Sequence, residues 1–123
     1  MNIQLFVAAI LTLIGAIVHA IGGEKTDIKY LLHSEIPTNL KVELRMSWYL
    51  VAIDMAVSGI YMLLVVTGTL PDNEPLLGFI ALRFMLYGVS ALVLLLLTQR
   101  DYLFKVPQWV LLIAIGLVVW WGM

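Results

Sequence analysis

The stretch "IQLFVAAILTLIGAIVHAI", residues 3 to 21, decides the class of fold, because its only titratable side chain is His19. A helix needs about 20 apolar residues to cross a hydrocarbon core of about 30 Å. This stretch therefore predicts a membrane-spanning helix. It lacks the basic residues that open a signal peptide, and its apolar run is too long for one, so we expect the helix to be retained.

The composition of the whole chain supports a membrane protein. Of its 123 residues, 63% are hydrophobic and 12% are charged. A soluble domain of this length cannot hide so much apolar surface, so the lipid bilayer is the predicted partner. The net charge of -1 lacks the excess of basic residues that would indicate nucleic-acid binding. The lack of cysteine excludes disulfides and thiolate metal sites, and no cofactor is predicted.

Three further apolar stretches complete an all-α, integral membrane four-helix bundle, predicted as a single domain over residues 1–123. The fourth stretch is short, so a segment lying in the membrane plane is its alternative. Pro107 suits the first turn of a helix, and Trp109 and Trp120 suit the two membrane interfaces. The spans are predicted at about residues 3–21, 46–67, 76–98 and 107–121.

The charges of the connections predict an orientation. The second connection carries only acidic charges, Asp72 and Glu74, whereas the first and third carry the basic residues. Basic connections usually stay in the cytoplasm, which predicts an inner (plasma) membrane protein with both termini outside. The basic residues are Lys25, Lys29, Lys41, Arg45, Arg100 and Lys105.

The first connection is predicted to begin where Gly22 and Gly23 end the first helix, since glycine readily adopts the left-handed conformation of a helix end. Apolar residues at helical spacing then predict a short interfacial helix at about residues 27–36. Thr26 is its predicted cap, and Asn39 is the predicted cap of the second span.

Ionisable side chains inside the hydrocarbon cost about 2.5 to 3.5 kcal/mol, so they normally face the helix bundle and find partners there. The preferred network pairs His19 with Asp54 near the cytoplasmic side, and Tyr61, Tyr87 and Arg83 continue it outward. A pair of Asp54 with an extended Arg83 is the alternative. The candidates for a binding or proton-linked site are His19, Asp54, Ser58, Tyr61, Arg83 and Tyr87.

Structural explanations remain open for the same residues. Arg83 can extend to the outer headgroups, and Asp54 can be a hydrogen-bonded packing residue. Small residues at Ala8, Thr12, Ala16 and Ala20, four apart, predict close packing of the first helix.

A second group of candidates lies at the predicted cytoplasmic mouth. Glu24 is either a solvated loop residue or turns back toward His19 and Arg45. Together, His19, Glu24, His33 and Glu35 form a conceivable acid–base or metal cluster. Their spacing matches no zinc signature, so no metal is predicted. A haem held by both histidines is a weaker alternative.

The motif "HAIGGE" (19–24), with Trp48 and "PQWVLL" (107–112), resembles a group of small, uncharacterised bacterial four-helix membrane proteins. The resemblance implies an inner-membrane four-helix protein and supplies no activity. It draws attention to His19, Gly23, Glu24, Trp48, Pro107 and Trp109 as a set.

Three functions remain open from the sequence. The first is proton-linked transport or small-molecule binding by an intramembrane polar site, in a homodimer. The second is an accessory or assembly subunit of a larger membrane complex. The third is a membrane enzyme with a cytoplasmic-face site made of His19, Glu24 and His33.

Overall fold

The computed structural model describes residues 2–123, and the chain over that range is helical. The first helical run changes type along its length and is interrupted by a turn at Thr26, with φ -118° and ψ -87°. Its parts are α1 (Ile3–Ile17), a π-helical turn (Val18–Gly22), α2 (Gly23–Lys25) and α3 (Asp27–His33). The later elements are α4 (Thr38–Val66), α5 (Glu74–Thr98), a 3-10 turn (Arg100–Tyr102) and α6 (Gln108–Gly122).

Three helical runs are long and apolar enough to cross a membrane: Ile3–His33, Thr38–Val66 and Glu74–Thr98. The all-α class agrees with the sequence prediction, and these three helices have the length and composition that membrane spans require. The fourth helix, α6, is apolar but has only 15 residues, so its crossing stays a prediction. Large apolar side chains stand exposed on these helices, Leu97 at 79% among them, as lipid-facing residues do.

The chain divides into two compact units: Ala9–Tyr61, and Met62–Met123 with the residues up to Ala8. In the second unit, α5 and α6 pack through glycines. A Cβ on Gly88 would lie 2.8 Å from the Trp109 carbonyl oxygen, and one on Gly116 would lie 2.8 Å from the Ala81 carbonyl oxygen. Later residues of α5 therefore meet earlier residues of α6, and the two helices run antiparallel at backbone contact distance.

Side-chain amides cap two helices of this unit. The Asn2 Oδ1 accepts a hydrogen bond from the Leu5 N–H at 3.0 Å, and its Nδ2 donates to the Gly122 carbonyl oxygen. The Asn73 Oδ1 accepts from the Leu76 N–H at 3.1 Å. Both amides satisfy N–H groups that the first helical turn leaves open.

In the unit Ala9–Tyr61, α1 packs closely against α4. A Cβ on Gly59 would lie 2.8 Å from Leu13 Cγ and 3.2 Å from the Ala9 carbonyl oxygen. Thr12 and Ala16 are buried on α1, in agreement with the predicted small-residue face. The absence of a side chain at Gly59 allows the two helices to approach.

The predicted helix end at the glycine pair is wrong. Gly22 and Gly23 have right-handed helical φ values of -64° and -61°, and the helix continues through them. Thr26 does not cap α3 with its side chain, because its hydroxyl donates to the Gly22 carbonyl oxygen at 3.0 Å. Glycine can also adopt the right-handed helical conformation. Here the absence of a side chain at Gly23 leaves space for the Trp48 indole.

Three other boundaries move by a few residues. The helix predicted at residues 27–36 ends at His33, because Ser34 is extended, with ψ 164°. Asn39 lies inside α4, which begins at Thr38. Pro107 precedes α6 with ψ 13° and does not sit within its first turn. Helix ends depend on local hydrogen bonding that a hydropathy pattern does not carry.

Candidate functional site

The π-helical turn Val18–Gly22 places the end of α1 against α4. The carbonyl oxygen of His19 accepts a hydrogen bond from the Trp48 indole Nε1 at 2.8 Å. Hydrogen bonds in a π-helix join residues five apart, so such a turn brings His19 and Glu24 toward one side of the helix. Turns of this kind are frequent at functional sites.

The His19 ring stacks on Trp48, with ring centroids 4.1 Å apart and planes at 10°. Gly23 lies under the same indole, because a Cβ there would be 2.3 Å from Trp48 Cζ2. The His19 Nε2 is buried and has no hydrogen-bond partner among residues 2–123. An unsatisfied buried nitrogen costs about 1–3 kcal/mol, so its presence requires an explanation.

Glu24 turns back to α4. Its Oε1 accepts from Arg45 Nη2, and its Oε2 accepts from the Tyr49 hydroxyl at 2.8 Å. The sequence left open whether Glu24 is solvated in a loop or turns back toward His19 and Arg45. In the structure, Glu24 turns back and binds Arg45. We call the set His19, Gly23, Glu24, Arg45, Trp48 and Tyr49 the ring–carboxylate cluster.

The ion pair within this cluster contributes little to stability. The Arg45 and Glu24 side chains are 43% and 33% exposed. Pairs in such contact with solvent contribute about 0–1 kcal/mol. Because both side chains are partly exposed, the guanidinium and the carboxylate remain accessible from solvent.

The other mouth candidates do not join the cluster through any hydrogen bond or ion pair described for residues 2–123. His33 lies in α3, where its Nδ1 is 2.7 Å from the Lys29 carbonyl oxygen. No three histidine or acidic side chains among the described residues lie close enough to hold a metal ion.

The other candidates on α4 are Asp54, Ser58 and Tyr61, which lie further along the helix than Trp48. Ser58 is buried and donates to the Asp54 carbonyl oxygen at 2.7 Å, within its own helix. Asp54 and Tyr61 are half-buried. Asp54 lies six residues, roughly 9 Å of helix, beyond Trp48. The pairing of His19 with Asp54 stays a prediction.

Arg83 of α5 lies among aromatic rings. Its guanidinium carbon is 5.4 Å from the ring centroid of Phe84, 5.9 Å from that of Phe79 and 6.0 Å from that of Tyr87. Such cation–π contacts stabilise a guanidinium in apolar surroundings. Arg83 and Tyr87 are therefore neighbours, as their four-residue spacing predicts, although Tyr87 is 45% exposed.

Sequence reasoning missed Tyr49 altogether, assigned Gly23 only to a helix end, and did not predict that Trp48 stacks on His19. The spacing of Arg45 and Tyr49, four residues apart and therefore on one helix face, is a signal that was present. What the sequence lacked was the partner on α1, because the π-helical turn that directs Glu24 there is invisible in the residue pattern.

Comparison with known proteins adds no family. No protein-family model matches the chain, and searches of curated proteins and of solved structures find no significant match. The resemblance to small bacterial four-helix membrane proteins therefore stays a prediction, and function has to be argued from the cluster itself.

Proposed function

We propose that this chain is a multi-pass protein of the inner (plasma) membrane that binds a small polar molecule at the ring–carboxylate cluster. The observation that carries the proposal is the buried His19 Nε2 without a partner in residues 2–123, beside a carboxylate held by Arg45 and Tyr49. A ligand that hydrogen-bonds to this nitrogen removes the cost of leaving it unsatisfied.

The cluster offers complementary chemistry in a small space. Glu24 accepts hydrogen bonds, Arg45 donates them, and the His19 ring does either, depending on its tautomer. The stack on Trp48 holds the ring in one orientation. Preorganised groups of this kind bind with a smaller loss of conformational freedom than flexible ones. The Tyr49 hydroxyl fixes the carboxylate in the same way.

Replacing His19 by phenylalanine tests the proposal. Phenylalanine keeps an aromatic ring for Trp48 and removes both ring nitrogens. Native mass spectrometry of the full chain, purified in a mild detergent, is expected to show a non-protein mass on the wild type. His19→Phe is expected to lower its occupancy about tenfold, since one lost hydrogen bond is worth about 1.4 kcal/mol.

His33→Phe is the matched control, because His33 is exposed in α3 and should leave the occupancy unchanged. The proposal fails if His19→Phe retains the mass at wild-type occupancy. It fails equally if the wild type carries nothing besides detergent. Co-purification of a stoichiometric second protein would favour an accessory subunit.

The proposed topology has a separate test that uses the lack of cysteine. A membrane-impermeant maleimide applied to intact cells is expected to label Asp72→Cys, in the acidic connection, and to leave Lys105→Cys unlabelled until lysis. Met123→Cys is expected to label from outside if α6 crosses. Labelling of Lys105→Cys in intact cells, with Asp72→Cys protected, would reverse the orientation.

A further inference from the structure

Beside the cluster, α4 carries an open groove of about 410 Å³ lined by Val42, Arg45, Met46, Tyr49 and Leu50. We call it the α4 groove. Its residues recur at three- and four-residue spacing, so they form one face of a single helix. Arg45 and Tyr49 also donate hydrogen bonds to Glu24, so these two residues belong to both the groove and the cluster.

The α4 groove crosses a sharp change in polarity along the helix. The first part of α4 is charged, with Lys41, Glu43 and Arg45 within five residues. Residues 46 to 53, which follow, carry no charge. A helix that enters a bilayer changes composition in this way at the level of the headgroups, where arginine and tyrosine are favoured. The groove therefore begins at headgroup level and continues into the acyl region.

The α4 groove offers hydrogen-bond donors at one end and exposed apolar side chains at the other. Among residues 2–123, the Arg45 guanidinium gives one of its five N–H groups, on Nη2, to Glu24, which leaves the second Nη2 N–H and those of Nε and Nη1 for a ligand. An arginine fork suits the oxygens of a phosphate. Further along, Met46 is 61% exposed and Leu50 is 62% exposed, which suits a hydrocarbon chain.

We infer that the α4 groove binds one phospholipid of the surrounding bilayer, with its phosphate on Arg45 and an acyl chain along Met46 and Leu50. This inference goes beyond the proposed function, because the lipid site shares Arg45 and Tyr49 with the cluster but does not involve the His19 ring. The negative phosphodiester complements the guanidinium. A free phosphate would leave the apolar end of the groove uncovered, and this favours a lipid over a soluble anion.

Titration of delipidated protein with phosphatidylglycerol, followed by native mass spectrometry, tests the inference. We expect one lipid to bind the wild type well before further lipids adhere. Arg45→Gln is expected to lower the occupancy of that first lipid about tenfold, and Arg45→Lys, which keeps the charge without the fork, is expected to lower it less. The melting temperature of each variant is measured first, so that a misfolded variant is not mistaken for one that has lost the site.

Arg100→Gln is the matched control, since Arg100 is an exposed arginine whose Nε donates to the Leu96 carbonyl oxygen at 2.8 Å. It should bind phosphatidylglycerol as the wild type does. Glycerophosphate, which offers the phosphate without acyl chains, should bind at least tenfold more weakly than the lipid. A phosphatidylglycerol with six-carbon chains should fall between them.

Two outcomes would overturn the inference. Equal lipid occupancy in the wild type and Arg45→Gln would mean non-specific annular lipid, and glycerophosphate binding as tight as the lipid would mean a site for a soluble phosphate ester. The proposed function would survive either result if His19→Phe still removed the native ligand. A lipid site that depends on Arg45 but not on His19 would support the inference and show that the groove binds independently of the His19 ring.

Discussion

Gly23→Ala is expected to have a free energy of unfolding about 2 kcal/mol lower than that of Gly22→Ala, because its new methyl group would occupy the position of the Trp48 indole. The added Cβ would lie 2.3 Å from Trp48 Cζ2 and Nε1. The indole would have to leave, and its hydrogen bond to the His19 carbonyl oxygen and the ring stack would go with it. The expected value combines about 1 kcal/mol for each. The measurement is unfolding of the purified chain in mild detergent.

Gly22→Ala provides a control one residue away. Its Cβ would find Val18 Cγ1 at 3.8 Å, an ordinary contact. Alanine is favoured over glycine in a helix by about 1 kcal/mol, so this variant should be neutral or stabilised. Equal losses at Gly22 and Gly23 would show that the glycines matter only for helix flexibility, and the close packing on Trp48 would lose its importance.

The ligand occupancy gives Gly23→Ala a second readout. If the cluster is a binding site, displacement of Trp48 also releases the His19 ring, and the non-protein mass should fall together with stability. Lowering the temperature until the variant is fully folded separates the two effects. Occupancy that stays low in the folded variant identifies loss of the site.

Gly88→Ala is expected to have the larger effect on stability, about 3 kcal/mol, because the contacts at this glycine are with backbone. Its Cβ would lie 2.8 Å from the Trp109 carbonyl oxygen and 2.9 Å from the Ile113 nitrogen. A side chain can rotate away from such a clash, but backbone cannot, so α5 and α6 have to separate. Overpacking of this kind costs about 1–3 kcal/mol, and we expect the upper end.

Gly78→Ala is the control on the same helix, where the nearest atom to the added Cβ is Met123 Sδ at 3.6 Å. We expect no loss of stability there. The comparison is made by thermal unfolding in the same detergent. If Gly88→Ala unfolds with the wild type, α5 and α6 are not held at backbone contact distance in the protein.

The long apolar runs were predictable because hydrophobicity accumulates over about 20 residues and tolerates local irregularity. The predicted second span at residues 46–67 lies within α4 except for its last residue, and the third at 76–98 lies within α5. The glycine pair at 22–23 was misjudged for the opposite reason. A glycine that ends a helix and a glycine that admits a neighbouring ring look the same in a sequence, and only the position of Trp48 distinguishes them.

The candidate site was predictable in part. His19, Glu24 and Arg45 were singled out because charged and titratable residues are conspicuous beside apolar runs. Tyr49 was not, since a tyrosine near a membrane boundary has an ordinary explanation as an interfacial anchor. Its bond to Glu24 depends on how α1 and α4 pack and on the π-helical turn before Glu24.

The sequence by itself determined that the chain is helical, that three of its helices are long and apolar enough to cross a membrane, and roughly where they lie, because those properties depend on composition summed along the chain. Tertiary structure alone decided that Glu24 meets Arg45 and Tyr49 and that His19 stacks on Trp48. Those contacts join residues 21 to 29 positions apart. They depend on ångström-scale packing, such as the space left by one missing Cβ, which no pattern in the sequence records.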